Sequence, residues 1–147
     1  MSKPRSAAAR ETAMVDRAET ISVVRTALAA VLVLAGIAWV LYYVFAVIDD
    51  GKPVWMFDLE DWNFLIGFGA VFLGLVVAAH RRTPLGRGRG VVVGMLGSFL
   101  VGLIWIIVYY VTSQDASIPV FRELGNYNLL VGIGFMTTGF VYATRWE

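Results

Sequence analysis

The chain has 147 residues, 59% of them hydrophobic and 16% charged, with a formal net charge of +1 and no cysteine. The length fits a single domain, but the composition excludes an ordinary soluble one, and the lack of cysteine excludes a disulfide framework and thiolate chemistry. Net charge alone says little; the placement of the charges says more.

Residues 1–23 form a polar, Ala-rich tail of mixed charge. Two readings stand: a disordered or weakly helical segment that only sets topology, or a docking tail for a cytoplasmic partner. Four stretches almost free of charge follow: Thr26–Ile48, Asn63–Ala79, Val91–Thr112 and Leu129–Thr144. A helix crossing the hydrocarbon core needs about 20 mostly apolar residues, with roughly 17 as a working minimum. The first and third stretches meet this easily. The second and fourth approach it, with Trp62 and Tyr127 extending their outer ends. Four buried helices of a soluble bundle would each need a polar face, and these stretches have none. The first run is too long for a signal-peptide core and follows a 25-residue tail, which favours an uncleaved span. The expected fold is an all-α integral membrane protein with four transmembrane helices.

Lys and Arg concentrate in short cytoplasmic loops. Lys3, Arg5, Arg10, Arg17 and Arg25 precede the first span, Arg81, Arg82, Arg87 and Arg89 lie between the second and third, and Arg145 follows the fourth. Only Lys52 and Arg122 fall in the other two loops. Both termini and the central link are therefore expected in the cytoplasm. The first outer loop is acidic, through Asp49, Asp50, Asp58, Glu60 and Asp61. The central "GRGRG" has too few Gly-Arg repeats for RNA binding. It reads as a flexible, positively charged hinge, and nucleic acid is not an expected partner.

The chain repeats itself. "DWNFLIGFG", from Asp61 to Gly69, returns as "NYNLLVGIG", from Asn126 to Gly134. Gly36, Trp39, Tyr43 and Pro53 match Gly102, Trp105, Tyr109 and Pro119 at an offset of 66. Leu59, Asn63, Gly67, Gly69 and Gly74 match Leu124, Asn128, Gly132, Gly134 and Gly139 at an offset of 65. The pattern predicts two helical hairpins, residues 24–86 and 90–147, joined by a basic link at 87–89. Each enters from the cytoplasm and returns to it, so the repeats are parallel, related by a pseudo-twofold axis along the membrane normal.

At about 100° per residue, Gly36, Trp39 and Tyr43 share a helix face, as do Gly102, Trp105 and Tyr109. Trp and Tyr also favour the headgroup level. Asn63, Gly67 and Gly74 share another face, as do Asn128, Gly132 and Gly139, while Gly69 and Gly134 point almost the opposite way. Gly90, Gly94, Ser98 and Gly102 form a ladder four residues apart. Small residues permit the close packing on which helix association in lipid depends. These positions either fit the four helices together or leave room for a partner helix, including one from a second copy; the sequence leaves both open.

No span interior contains Asp, Glu, Lys, Arg or His, the groups that proton relays and ion pathways usually need. His80, the single histidine, sits at an inner edge beside Arg81, so no metal site is expected. No catalytic constellation or nucleotide-binding fingerprint appears. Catalytic and cofactor-binding residues are expected to be absent.

"VGLIWIIVYYV", followed by "IPVFRELGNYNLLVGIGFMTTGFVYATRWE", resembles the CrgA family of actinobacterial cell-division membrane proteins. Those have a basic N-terminal tail, a "GLIW"-type first span, an "LG-aromatic-N" entry to a second span and an "RW" ending. Here the matching residues are Gly102–Trp105, Leu124–Asn128 and Arg145–Trp146. About 60 residues match closely, and the first hairpin matches more loosely through Trp39, Pro53, Leu59 and Trp62–Gly69. The family has one hairpin where this chain has two, and the first hairpin here ends in "AAHRRTP". The resemblance implies a non-enzymatic protein of the plasma membrane, recruited to the division septum, that coordinates or restrains septum formation. It implies contacts with divisome proteins such as the tubulin-like FtsZ and the septal peptidoglycan synthesis machinery. The alternative reading is a small duplicated transporter or channel subunit for an unknown solute. A third is an unrelated membrane function with a merely similar hairpin.

Overall fold

The computed structural model describes residues 7–12, 20–112 and 117–146. Most of the tail, including Lys3, Arg5 and Arg17, lies outside them; residues 7–12 form a helical turn.

Helix α1 runs over Val23–Asp50, 28 residues. Ser22 caps its start by accepting from the Arg25 N–H at 3.4 Å, which satisfies one of the free donors of the first turn. Its turn at Tyr43–Val47 is π-helical, a widening that the residue spacing did not announce. Gly51 ends the helix in the left-handed region (φ 63°), its N–H donating to Val47 O at 2.9 Å. A short α2 (Val54–Phe57) leads to α3 (Trp62–Ala78), and a 3₁₀ turn at Pro84–Gly86 leads to α4 (Arg89–Thr112). Then come α5 (Pro119–Leu124), with Pro at its start, and α6 (Tyr127–Ala143). Among the described residues there is no strand.

Helices α1 and α4 are long and apolar enough to cross a membrane. At 1.5 Å per residue they reach about 42 and 36 Å, against a hydrocarbon core of about 30 Å. Only 28% and 17% of their apolar windows are buried. Leu34, Ile37, Leu100 and Ile104 all lie exposed, a pattern opposite to that of a core helix in a soluble protein. Helices α3 and α6 are shorter, 17 residues each, and apolar.

The principal packing is α1 on α3 and α4 on α6, with α3 on α6 joining the pairs. A cluster of Val40, Tyr43, Val44, Val47, Met56, Phe64, Leu124 and Val131 lies where α1, α3 and α6 meet the short helices α2 and α5. The link after α3 is a folded turn rather than a loose hinge. Thr83 is 1% exposed and its hydroxyl donates to Ala78 O and, at 2.7 Å, to His80 O. Cβ atoms at Gly86 and Gly90 would meet the carbonyls of His80 and Pro84. Glycine at these two places is what lets the turn close.

Candidate functional site

The two asparagines organise corresponding places. Asn63 and Asn128 are each 0% exposed. Asn63 Nδ2 donates to Met56 O at 2.7 Å and Glu60 O at 3.0 Å; Asn128 Nδ2 donates to Phe121 O and Gly125 O, both at 2.8 Å. Each side chain therefore folds the preceding loop onto the start of its helix, using carbonyls seven and three residues back.

The aromatic pairs match as well. Trp39 meets Trp55 with ring centroids 5.9 Å apart, and Trp105 meets Phe121 at 4.8 Å; both pairs are spaced sixteen residues along the chain. The tryptophans are held within the bundle as well as at its edge: Trp105 also meets Phe68 edge-on at 5.7 Å. Tyr43 packs edge-on against Phe64 at 5.3 Å, whereas its counterpart Tyr109 meets its own neighbour Tyr110.

The glycines sit at close approaches. A Cβ on Gly36 would strike Gly67 O, and one on Gly67 would strike Val40. One on Gly102 would lie 2.7 Å from Gly132 O, and one on Gly132 would strike Ile106. A Cβ on Gly74 would lie 2.9 Å from Ala29 O, and one on Gly139 would lie 3.1 Å from the Phe99 ring. In the ladder of α4, Gly94 faces the Tyr142 ring, Ser98 and Gly102 are buried, and Gly90 packs on the link.

Gly69 and Gly134 part company. A Cβ on Gly134 would strike Phe72 of α3, while Gly69 has nothing within 4 Å. Phe72 further packs edge-on against Phe135 at 5.1 Å, and Tyr142 Oη donates to Leu75 O at 3.1 Å. These contacts join the α1–α3 pair to the α4–α6 pair. Neither Phe72 nor Tyr142 was singled out by the repeat, because their matched positions carry Thr137 and Val77.

The open side of Gly69 belongs to a cavity of about 470 Å³ between α3 and α6, lined by Leu65, Phe68, Phe72, Leu124, Leu130 and Val131. Asp61, Trp62 and Tyr127 also line it.

Arg81, Arg82, Arg87 and Arg89 are exposed on the turn between α3 and α4. His80 Nε2 contacts Arg25 Nη1, and its Nδ1 faces the Arg82 N–H at 3.1 Å. Partial burial, then the Arg25 guanidinium and the charges of Arg145, Arg82 and Arg81, hold His80 below the ordinary histidine range. Among the described residues no group of three or more His, Asp or Glu is placed to hold a metal ion.

The arrangement defines an all-helical, membrane-associated protein whose helices pair through glycines, asparagine-tied loops and aromatic contacts. The family model described as "Cell division protein CrgA" matches residues 1–82 and again residues 83–147. The chain belongs to the CrgA family of cell division proteins. Among its relatives, the cell division protein CrgA of Streptomyces avermitilis is 49% identical over 53 residues, which are 36% of this chain and 60% of that protein. That of Corynebacterium aurimucosum is 34% identical over 75 residues, 48% of this chain and 80% of the relative. That of Mycobacterium tuberculosis strain H37Ra is 30% identical over 80 residues, 48% of this chain and 86% of the relative. No solved structure matches.

Proposed function

We propose that the chain is a non-catalytic membrane adaptor of cell division, built from two fused family hairpins and acting at the septum of the plasma membrane. The observation that carries this reading is the double match of the family model, to residues 1–82 and 83–147. The like hydrogen bonds of Asn63 and Asn128 support it from the side of geometry. On this reading α1, α3, α4 and α6 all span the membrane, with the termini and residues 87–89 in the cytoplasm. Hairpins at 24–86 and 90–147 follow from the same reading, preceded by a tail at 1–23. The arginines of the α3–α4 turn and the carboxylates of the opposite loops support that orientation.

The glycines at Gly36, Gly67, Gly74, Gly94, Gly102, Gly132 and Gly139 pair the helices within hairpins, and Gly134 joins the hairpins. Gly69 and its cavity are the surface offered to a partner's transmembrane helix, where the absent side chain permits close approach. The partners on this reading are divisome proteins, with FtsZ and the septal peptidoglycan synthesis machinery as the first to examine, and the action is coordination or restraint of septum assembly. The test is a fluorescent fusion of the full chain in a dividing actinobacterium deleted for its own family member. Enrichment at septa with restored division supports the proposal. A uniform peripheral signal with no effect on division refutes it.

A further inference from the structure

From residue 20 onward, every described carboxylate (Asp49, Asp50, Asp58, Glu60, Asp61, Glu123) lies in the last turn of α1, between α2 and α3, or in α5. The opposite end of α1 holds Arg25 in contact with His80, and the charges of Arg145 and Arg82 also reach His80. Arg25 stands in the first turn of α1 and touches His80. The Ser22 N–H donates to Arg82 O at 2.7 Å, which pins the start of α1 to the loop after α3. Arg145 follows α6, whose end is held to α3 by the Tyr142–Leu75 hydrogen bond. A neutral imidazole can accept at only one nitrogen, yet both ring nitrogens of His80 face donors. Like charges converge here: Arg25, Arg145 and Arg82 all act on His80 in the same direction. Guanidinium groups are the side chains best matched to phosphate oxygens, which they engage through paired N–H donors. If the helices span as proposed above, this end lies at headgroup depth, where lipid phosphates are abundant.

We propose that Arg25, Arg82 and Arg145, arranged around His80, form a binding site for the phosphate of an anionic phospholipid. One headgroup bound there bridges the two hairpins, since Arg25 and Arg82 come from the first and Arg145 from the second. The shared chemistry is a phosphate; a lipid and a free phosphate ion are separated by the test. The site rests on the membrane-spanning reading, but not on which leaflet this end faces.

The full chain is reconstituted in nanodiscs of phosphatidylcholine alone or mixed with phosphatidylglycerol. Retained lipid is read by native mass spectrometry, and His80, the single histidine, by NMR titration. The wild type is expected to retain phosphatidylglycerol in preference, and R25Q/R145Q to lose that preference roughly thirtyfold, at about a kcal/mol for each of the two arginines. R122Q, at the other end and paired with Glu123 at 2.8 Å, is expected to keep it. The titration of His80 is expected to move to higher pH in the anionic discs, because lipid phosphate offsets the arginines, and R25Q/R145Q is expected to abolish most of that movement. Unchanged thermal unfolding of R25Q/R145Q in phosphatidylcholine discs establishes that the variant is folded. Equal retention by wild type and R25Q/R145Q overturns the site while leaving the spanning reading intact. Failure of the wild type to enter discs overturns both. Displacement of the lipid by millimolar inorganic phosphate assigns the site to the free ion and overturns the lipid assignment.

Discussion

Asn128 stands to Phe121 as Asn63 stands to Met56: in each case a buried amide nitrogen donates to the carbonyl seven residues earlier, at 2.8 and 2.7 Å. A second bond, three residues back, completes each set. The equivalence predicts that Asn63→Leu and Asn128→Leu destabilise alike. Each leaves two carbonyls without their amide donor, a loss of about 1–3 kcal/mol. Thermal unfolding of the two variants in mild detergent checks this, and a loss confined to one of them would show that the two loops are not held in the same way.

Glycine spacing predicts a second result. Gly94 faces the Tyr142 ring, whereas Gly97 has nothing within 4 Å and Val93 is exposed. Gly94→Leu is expected to lower stability by about 1–3 kcal/mol through overpacking, and Gly97→Leu and Val93→Leu to be tolerated. The same detergent unfolding assay measures all three. Equal behaviour of Gly94→Leu and Val93→Leu would mean that the ladder does not carry the α4–α6 contact.

Orientation is open to thiol labelling because the chain has no cysteine of its own. Arg87→Cys should be shielded from a membrane-impermeant reagent in intact cells, and Lys52→Cys and Ser117→Cys should react. These positions are exposed, whereas Thr83, in the same turn as Arg87, is too buried to report. Reaction at position 87 in intact cells would reverse the proposed orientation.

His80 gives the pH dependence. Its pKa lies below the usual value near 6.5, first through partial burial and next through Arg25. A depressed histidine pKa means that the folded state binds its proton less readily than the unfolded chain. The stability involved is fully present above the unfolded value and is lost as pH falls through the folded one. NMR titration should place the midpoint below 6.5, and Arg25→Gln should raise it part of the way. A midpoint unchanged by Arg25→Gln would remove the guanidinium from the account.

Much of the fold was legible in the sequence, because in lipid the charge-free runs and the glycine spacing are themselves the folding signal. The helices around Thr26–Ile48 and Val91–Thr112 extend a few residues beyond those runs, since Ser22 and Gly51 set the ends of α1. The family suggested by the residues from Val101 to Glu147 is the one the chain belongs to. The contact of α3 with α6 was not legible. Phe68, Phe72 and Phe135 are apolar residues among apolar residues, and a membrane helix shows no polar face to mark which side meets protein. The unequal surroundings of Gly69 and Gly134 also escaped, since they depend on Phe72, whose matched position carries the exposed Thr137. The link read as a loose hinge because Gly and Arg suggest mobility, yet the Thr83 hydroxyl and the close packing at Gly86 fold it.

On the proposed reading, two family hairpins form one bundle through α3 and α6. Phe72→Cys with Gly134→Cys in the full chain, plus a protease site inserted in the 87–89 link, tests it in native membranes. A short thiol cross-linker should keep the two halves joined after cleavage, because Gly134 faces Phe72. Leu34→Cys with Leu100→Cys, both on exposed faces, should let the halves separate. Co-expressed chains carrying one cysteine each should give no joined product. Separation of the 72–134 halves, or joining only between different chains, would contradict the fused bundle.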